Sequence, residues 1–354
     1  MQDVIDRLSR TIREAASQRR PLCIRGGGTK DFYGGTVYGY KLNTGDYRGI
    51  VSYEPTELVL TARAGTPLAE VEAALAEHGQ MLAFEPPRFG EGATLGGCVA
   101  AGLSGPRRPY AGAVRDFVLG VRMLNGQGEE LRFGGQVMKN VAGYDVSRLM
   151  AGSLGTLGLL LEISLKVLPA PPAEATLRLE CGQAEALSRM NEWAGKPLPI
   201  TATAFCDEEL KVRLSGARVA VEAAAKKIGG TAMDPAAAER FWTAIREHTD
   251  PFFAGPAPLW RLAVKSTTPP LALPGKQLVE WGGALRWLKS DADPVAIREA
   301  AARAGGHATL FRGGDKAAGV FHPLAPALME IHRRLKRAFD PAGILNPGRM
   351  YPDF

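Results

Sequence analysis

No stretch of eighteen or more apolar residues occurs in the chain, which excludes a membrane-spanning helix on hydropathy. The first twenty residues lack the charged, then apolar, then small-residue order of a secretory leader and read as a helix, so the protein is expected in the cytoplasm. Cysteine is scarce: Cys23, Cys98, Cys181 and Cys206 are scattered, and no C-x-x-C pair exists. That argues against a disulfide framework, and against an iron–sulfur cluster or structural zinc ligated by this chain; no metal site is expected. Lys and Arg give a net charge of +6 but form no basic block. Nucleic acid is therefore not the expected partner, and an anionic cofactor, an acidic partner or a membrane surface suits the sign better. Neither a P-loop nor a working G-x-G-x-x-G turn between strand and helix is present, so both common nucleotide scaffolds fail on spacing.

Glycine, in contrast, is plentiful, and it gathers in three places in the first half. The first is "RGGGTK", residues 25–30, fed by a short strand over 22–25. Glycine loses more backbone entropy on folding than any other residue, so three in a row ask for a reason. A nest of backbone N–H groups around an anion, with Arg25 and Lys30 at its ends, supplies one. The second is "FGEGATLGGCVAAGLSG", residues 89–105, whose centre is small enough for a short helix over 94–101. The third lies within "KNVAGYDVSRLMAGSLGTLGLLLEISLKVLP", residues 139–169, which reads as a loop, a helix over 146–150, a glycine loop and a buried strand over 159–167.

Around these loops, Val4, Leu8, Ile12 and Ala15 recur at helical spacing. Strands are expected over 50–53, 58–63, 81–84 and 117–124. Thr66 reads as an N-cap before Pro67, with Gly79 closing that helix, and Asn125-Gly126-Gln127-Gly128 as a hairpin turn returning over 129–133. At Pro169 the texture changes, and "PAPPAEA" marks a boundary. Beyond it come helices around 184–194 and 217–228, strands over 259–265 and 283–289, and a final helix over 324–339 carrying Leu328, Ile331, Leu335 and Ala338 on one face. The tail "FDPAGILNPGRMYPDF" holds enough apolar residues to pack back onto the body.

The three glycine segments together resemble the FAD-binding domain of the vanillyl-alcohol oxidase and p-cresol methylhydroxylase family, over residues 1 to about 168 and again in the tail. The resemblance implies an α+β protein, a two-subdomain FAD-binding fold with a compact α+β cap. It divides the chain into an FAD-binding domain at 1–168, a cap at 169–322, and a C-terminal helix and tail at 323–354 that return to the FAD-binding domain. Arg25, Gly26, Gly27, Gly28, Thr29 and Lys30 would form the first pyrophosphate loop. Pro86, Gly92, Ala93, Thr94, Gly96, Gly97 and Gly102 belong to the second segment, with Thr94, Gly96 and Gly97 giving a helix start aimed at the phosphates. Gly152, Gly155, Thr156 and Gly158 would flank the flavin, and Asn346 and Arg349 would reach its edge from the tail. Relatives with covalent flavin often carry a histidine just after the first paired glycines; Thr29 stands there, so noncovalent FAD is expected.

Within that family, "KNVAGYDVSRLMAGS" and "GVFHPLAPALMEIHRRLKRAFDPAGILNPGRMY" are similar to the FAD-binding subunits of bacterial glycolate oxidases. This implies a subunit of an assembly that oxidises glycolate, a small 2-hydroxy acid, to glyoxylate. Its implied partners are a second flavoprotein subunit and an iron–sulfur subunit, with peripheral association at the inner face of the membrane through the complex. Two alternatives stand beside it: a self-sufficient FAD-dependent D-2-hydroxy-acid (D-lactate) dehydrogenase, and a flavin-carrying or assembly subunit without chemistry of its own. The His-x-Gly-Asp-Gly-Asn-type cluster of the more catalytic relatives is missing, which favours a subunit. For substrate contact the candidates are His322, Arg261 and Arg286, with Arg312 as a further cap arginine. Trp260, Trp281 and Trp287 read as cap core or substrate wall, and Arg107 and Arg108 as a solvated or partner-facing pair.

Overall fold

The structure is a computed structural model that describes residues 1–135, 145–352 and 354. The stretch "KNVAGY" at the head of the third glycine segment lies outside the described residues. The architecture is α+β, built on two main sheets.

The first sheet has five antiparallel strands in the order Ile50–Glu54, Val59–Arg63, Leu159–Lys166, Val118–Leu124, Glu130–Gly134. Leu159–Lys166 lies at its centre and reads as a nearly continuous apolar run because both of its faces are covered. Leu160, Ile163 and Leu165 meet the helices Leu68–Ala76 and Leu95–Ala101 through Leu68, Val71, Leu95 and Val99. Leu159 and Leu161 meet the opening helix Gln2–Ser17 on the other side. That helix buries Ile5, Leu8, Ile12 and Ala15 as one stripe, each large apolar side chain contributing about 1.5–3 kcal/mol. Leu22–Arg25 pairs in parallel with Tyr40–Asn43, and Leu22 also bridges Leu345 in parallel, so the tail is sewn in beside the strand that delivers the first glycine loop.

The second sheet has eight strands in the order Thr231–Ala232, Ala173–Glu180, Glu209–Gly216, Ile200–Cys206, Lys276–Glu280, Leu285–Lys289, Leu259–Ala263, His307–Arg312. Its pairings are antiparallel. Side-chain alternation along Leu259–Ala263 sends Trp260 and Leu262 toward the helix Pro294–Arg303 and Leu259 toward the glycine-loop half. There Tyr33, Ala101, Leu103 and Leu154 join Trp281, Trp287 and Phe311 in one apolar cluster that spans both sheets' territories. Beside it runs an ion network: Arg107 pairs with Glu85 at 3.2 Å and with Glu174 at 2.6 Å, and Arg213 pairs with Glu85 at 2.7 Å.

Several expectations shift. Arg107 is buried in that network rather than solvated. Thr66 does not cap the helix after it; its hydroxyl accepts the Gly49 N–H at 2.9 Å, and the helix opens from Pro67 without a side-chain cap and ends at Ala76, before Gly79. Extended pairing stops at Gln80–Met81, and Leu82 to Phe84 are buried as irregular chain. The final helix, Pro326–Phe339, leaves Leu328 and Ile331 exposed. Periodicity finds a face but not what covers it, and this helix is anchored instead by Leu335, Phe339 and the buried Lys336. Two helices, Pro235–Glu247 and Pro294–Arg303, carry an overlooked start signal: Asp234 and Asp293 cap them, each followed by proline.

Candidate functional site

A cleft runs between the first glycine loop, the helix Leu95–Ala101 and the tail. Residues 23–31 form one side; Thr94, Gly97, Ala100 and Ala101 form another, and Leu154, Asn346 and Arg349 close it. The strand Leu22–Arg25 ends in a turn in which the Asp31 N–H donates to Gly28 O at 3.1 Å and the Tyr33 N–H to Lys30 O at 3.0 Å. Inside that turn, the N–H groups of Gly27, Gly28, Thr29 and Lys30 meet no acceptor among the described residues. Gly28, Thr29 and Lys30 are half-buried, where amides are nearly always paired, and with the exposed Gly27 beside them the four free N–H groups on consecutive residues form a ready anion cradle.

The glycines serve a second purpose. A Cβ on Gly27 would fall on the Gly92 carbonyl oxygen, and Gly28 sits at φ +76° over the Arg25 guanidinium. The first loop is thus pressed onto the second segment backbone against backbone. Arg25 pairs with Asp31 at 2.7 Å, while its Nε is buried without a partner. Lys30 points inward, donating to Arg88 O at 3.2 Å, and burial lowers its pKa. Burial likewise pushes the neighbouring Cys98 thiol up to about 12, which makes it inert as a nucleophile near neutrality.

The helix Leu95–Ala101 does not aim free amides at the cleft. Leu95 N–H donates to Thr66 O at 2.9 Å, Gly96 N–H to Ala64 O at 2.8 Å, and Gly97 N–H to Thr94 Oγ1 at 3.2 Å. Gly96 lacks a side chain because Ala64 lies directly beneath it. What the helix offers is a wall of small side chains, Gly97, Ala100 and Ala101, low enough for a flat ring.

The tail contributes by holding the loops. Asn346, at φ +43°, accepts the Ile24 N–H at 2.7 Å through Oδ1 and donates to Leu154 O at 2.7 Å through Nδ2. Arg349 donates to Lys30 O at 2.9 Å and Gly35 O at 3.0 Å. Lys336, 4% exposed, donates to Thr156 O at 2.8 Å and Leu345 O at 2.7 Å and pairs with the buried Asp340 at 2.7 Å. Asp340 in turn accepts the Leu345 N–H at 2.7 Å.

The structure therefore gathers Arg25 to Lys30, Thr94, Gly97, Asn346 and Arg349 at the cleft. Pro86, Gly92, Ala93, Gly96, Gly102, Gly152, Gly155, Thr156 and Gly158 are not among its lining residues. Several of them carry packing duties instead: Gly102 lies against Gly152, Gly155 against Asn346, and Gly158 against Met123 and Leu124. Cys23, Ile24, Val37, Ala100, Ala101 and Leu154 line the cleft without having been singled out; small or aliphatic walls carry no sequence signal. Of the cap candidates, Arg286 is fully buried and donates to Gly283 O and Thr268 O, both at 2.7 Å. His322 accepts the Ala308 N–H at 3.5 Å and does not line the cleft. Arg261 faces the apolar cluster between the halves, 5.1 Å from the Trp281 ring.

Free amides, the cations Arg25, Lys30 and Arg349, and a small-residue wall suit a diphosphate joined to a planar ring. Comparison with known proteins agrees. A family described as "FAD binding domain" matches residues 4–134, and one described as "FAD linked oxidases, C-terminal domain" matches residues 313–350. Among solved structures, an alkyldihydroxyacetonephosphate synthase superposes with a TM-score of 0.67 over 96% of this chain and 74% of its own, at 14% identity, which shows a shared fold. Glycolate oxidase subunit GlcD of Bacillus subtilis is 31% identical over 49% of this chain and 37% of its own. A D-lactate dehydrogenase of Archaeoglobus fulgidus is 29% identical over 60% and 48%. Glycolate oxidase subunit GlcE of Escherichia coli is 52% identical over 99% of this chain and 98% of its own. An identity that high across nearly the whole of both chains places the protein in the family of FAD-linked oxidoreductases to which the glycolate oxidase subunit GlcE belongs.

Proposed function

We propose that the chain is the FAD-carrying subunit of an assembly that oxidises glycolate, a small 2-hydroxy acid, and that it passes electrons to partner subunits. The observation that carries this reading is the cleft, with four consecutive unpaired amides beside Arg25, Lys30 and Arg349. The amides of Gly27 to Lys30 would take the diphosphate of FAD, where charge-assisted bonds from a rigid backbone are strongest. Arg349 and Asn346 would act one step back, by fixing the first and third loops. Bound FAD supplies the two-electron oxidation of a carbinol carbon. Thr29 offers no ring nitrogen for attachment, so the flavin is held noncovalently.

The domain reading follows the two sheets: 1–168 with 323–354 forms the FAD-binding unit, and 169–322 the cap. A second flavoprotein subunit of the GlcD kind and an iron–sulfur subunit are the proposed electron partners, since the four scattered free cysteines offer no cluster site. Among the described residues no helix is long and apolar enough to cross a membrane, so any membrane contact would come through the assembly.

Purified chain should be yellow, and acid or heat should release intact FAD. Glycolate oxidation with a dye acceptor should be weak for the isolated chain and appear on co-expression with its partners. Turnover by the chain alone at the rate of the assembly would replace the subunit reading with that of a self-sufficient dehydrogenase. A colourless chain that added FAD cannot reconstitute would overturn both.

A further inference from the structure

The cap helix Pro235–Glu247 ends on a carboxylate, although a negative charge in the last turn of a helix opposes its dipole. What Glu247 accepts from the other half of the chain accounts for it. Its Oε2 takes two consecutive backbone amides, the Arg88 N–H at 3.0 Å and the Phe89 N–H at 2.8 Å. Its Oε1 takes the Arg246 Nε–H at 2.8 Å, so both oxygens are engaged. Phe89 stands at φ +54°, a left-handed conformation that is strained for an aromatic residue and is kept only where its surroundings impose it. Two locally unfavourable features thus meet in one contact between residues 158 positions apart in the chain.

The stretch that Glu247 grips faces the anion cradle. Lys30 Nζ donates to the Arg88 carbonyl at 3.2 Å and lies 5.6 Å from the centre of the Phe89 ring. Lys30 also lines the cleft, next to the free amides of Gly27 to Thr29. Around its ammonium stand Thr29 Oγ1 at 3.5 Å, the buried Cys98 thiol and the Glu247 carboxylate. The neighbouring charges are engaged elsewhere: Arg88 pairs with Glu72, Asp31 pairs with Arg25, and Arg349 reaches the Lys30 carbonyl. Arg312 and His248 meet the same Phe89 ring. Burial lowers the Lys30 pKa, with Cys98 and Glu247 acting against it. Two amides and one carbonyl therefore link a cap carboxylate to the position and the charge of a cleft ammonium.

We propose that Glu247 is a positioning residue for cofactor capture: by gripping Arg88 and Phe89 from the cap, it holds the carbonyl and the ring that keep the Lys30 ammonium at the anion cradle. The proposal rests on the flavin-subunit reading for the identity of the anion, and it makes the cap helix a determinant of how tightly that anion is held. Without Glu247, residues 88 and 89 lose the restraint on a strained turn. Lys30 must then be ordered as the diphosphate arrives, and that ordering appears as lost affinity.

The test measures FAD affinity of the full chain by equilibrium dialysis across a range of pH. Glu247→Gln keeps the size of the side chain and removes its charge, and should weaken FAD about tenfold. Glu247→Asp, which restores the charge on a shorter arm if the first variant folds poorly, should fall between the two. Affinity is level below the Lys30 pKa of the flavin-free chain and declines above it, because the ammonium is then lost. Removing the Glu247 charge lets burial lower that pKa further, so the decline should begin at lower pH in Glu247→Gln. In a Lys30→Met background the same substitution should weaken FAD less than about twofold. Glu239→Gln, exposed on the same helix, should match wild type. Wild-type FAD affinity in Glu247→Gln overturns the proposal, and so does a tenfold loss that persists in Lys30→Met or a decline that begins at the wild-type pH. A chain that never holds FAD overturns the functional reading instead. Acetylation of the Lys30 amine as a function of pH, read by mass spectrometry, then decides the proposal: a lower Lys30 pKa in Glu247→Gln supports it, and coincident curves overturn it.

Discussion

Replacing Glu280 by glutamine should change how stability depends on pH, and the size of the effect follows from where the carboxyl lies. Burial raises its pKa from 4.5 to about 7, against the opposing pulls of the Trp287 hydrogen bond and Arg261. The folded state therefore holds a proton that the unfolded chain has released between those two values. Stability from this group is complete below about pH 4.5 and is lost as pH rises through 7. A shift of that size corresponds to about 3 kcal/mol. Glutamine has the same shape and never ionises, so the stability difference between wild type and Glu280→Gln should move by about 3 kcal/mol in the variant's favour between pH 5 and pH 8. Urea unfolding at steps across that range, followed by tryptophan fluorescence from the cap, measures it directly, since Trp287 donates to this carboxyl and Trp281 adjoins it. Parallel pH curves for the two proteins would refute the reasoning: the carboxyl would then be ionised in the fold at all these pH values, with solvent or a cation compensating it.

Four further outcomes are expected. Gly27→Ala places a methyl on the Gly92 carbonyl oxygen and must part the first loop from the second segment, so FAD affinity should fall at least about tenfold in equilibrium dialysis. Gly182→Ala, where a Cβ meets nothing within 4 Å, should stay within about 0.5 kcal/mol of wild type. Asn346→Ala strips the Ile24 N–H and the Leu154 carbonyl of their partners; a loss of about 2–5 kcal/mol in chemical denaturation, together with weaker FAD retention, is expected, and unchanged retention would count against a positioning role. Lys336→Met leaves Asp340 buried without its cation and should destabilise by about 3–5 kcal/mol, with Lys336→Met/Asp340→Asn recovering part of it.

The sequence made the first loop legible because runs of glycine have few explanations other than close backbone approach. It did not say what each glycine approaches. Gly27 meets Gly92, Gly96 meets Ala64 and Gly158 meets Met123, so several residues that look like ligand contacts are packing contacts between distant segments. Such pairings depend on the tertiary arrangement. The same limit applies to the helix Leu95–Ala101, whose start resembles an anion site until Ala64, Thr66 and Thr94 are seen taking its amides. Arg286 and Arg261 sit on neighbouring antiparallel strands one position out of register, and that single step sends one into backbone hydrogen bonds and the other to the seam between the halves. His248 and Glu280 drew no notice because a lone histidine and a lone glutamate become informative only once burial removes their partners.

Residues 345–349 hold the first loop in place, and this has a consequence for biosynthesis. Leu22 bridges Leu345, Ile24 is held by Asn346, and Lys30 by Arg349. A ribosome adding about 5–20 residues per second delivers those tail residues roughly 20–60 s after the first loop. The five-strand sheet can form during that interval, but the cleft between the loops cannot close until residues 345–349 have been made. Chains stalled before residue 345, or clipped within residues 345–349, would have folded cores and an open cleft with weak hold on an anion. Ligand loading at the first loop then reports that synthesis has passed residue 349.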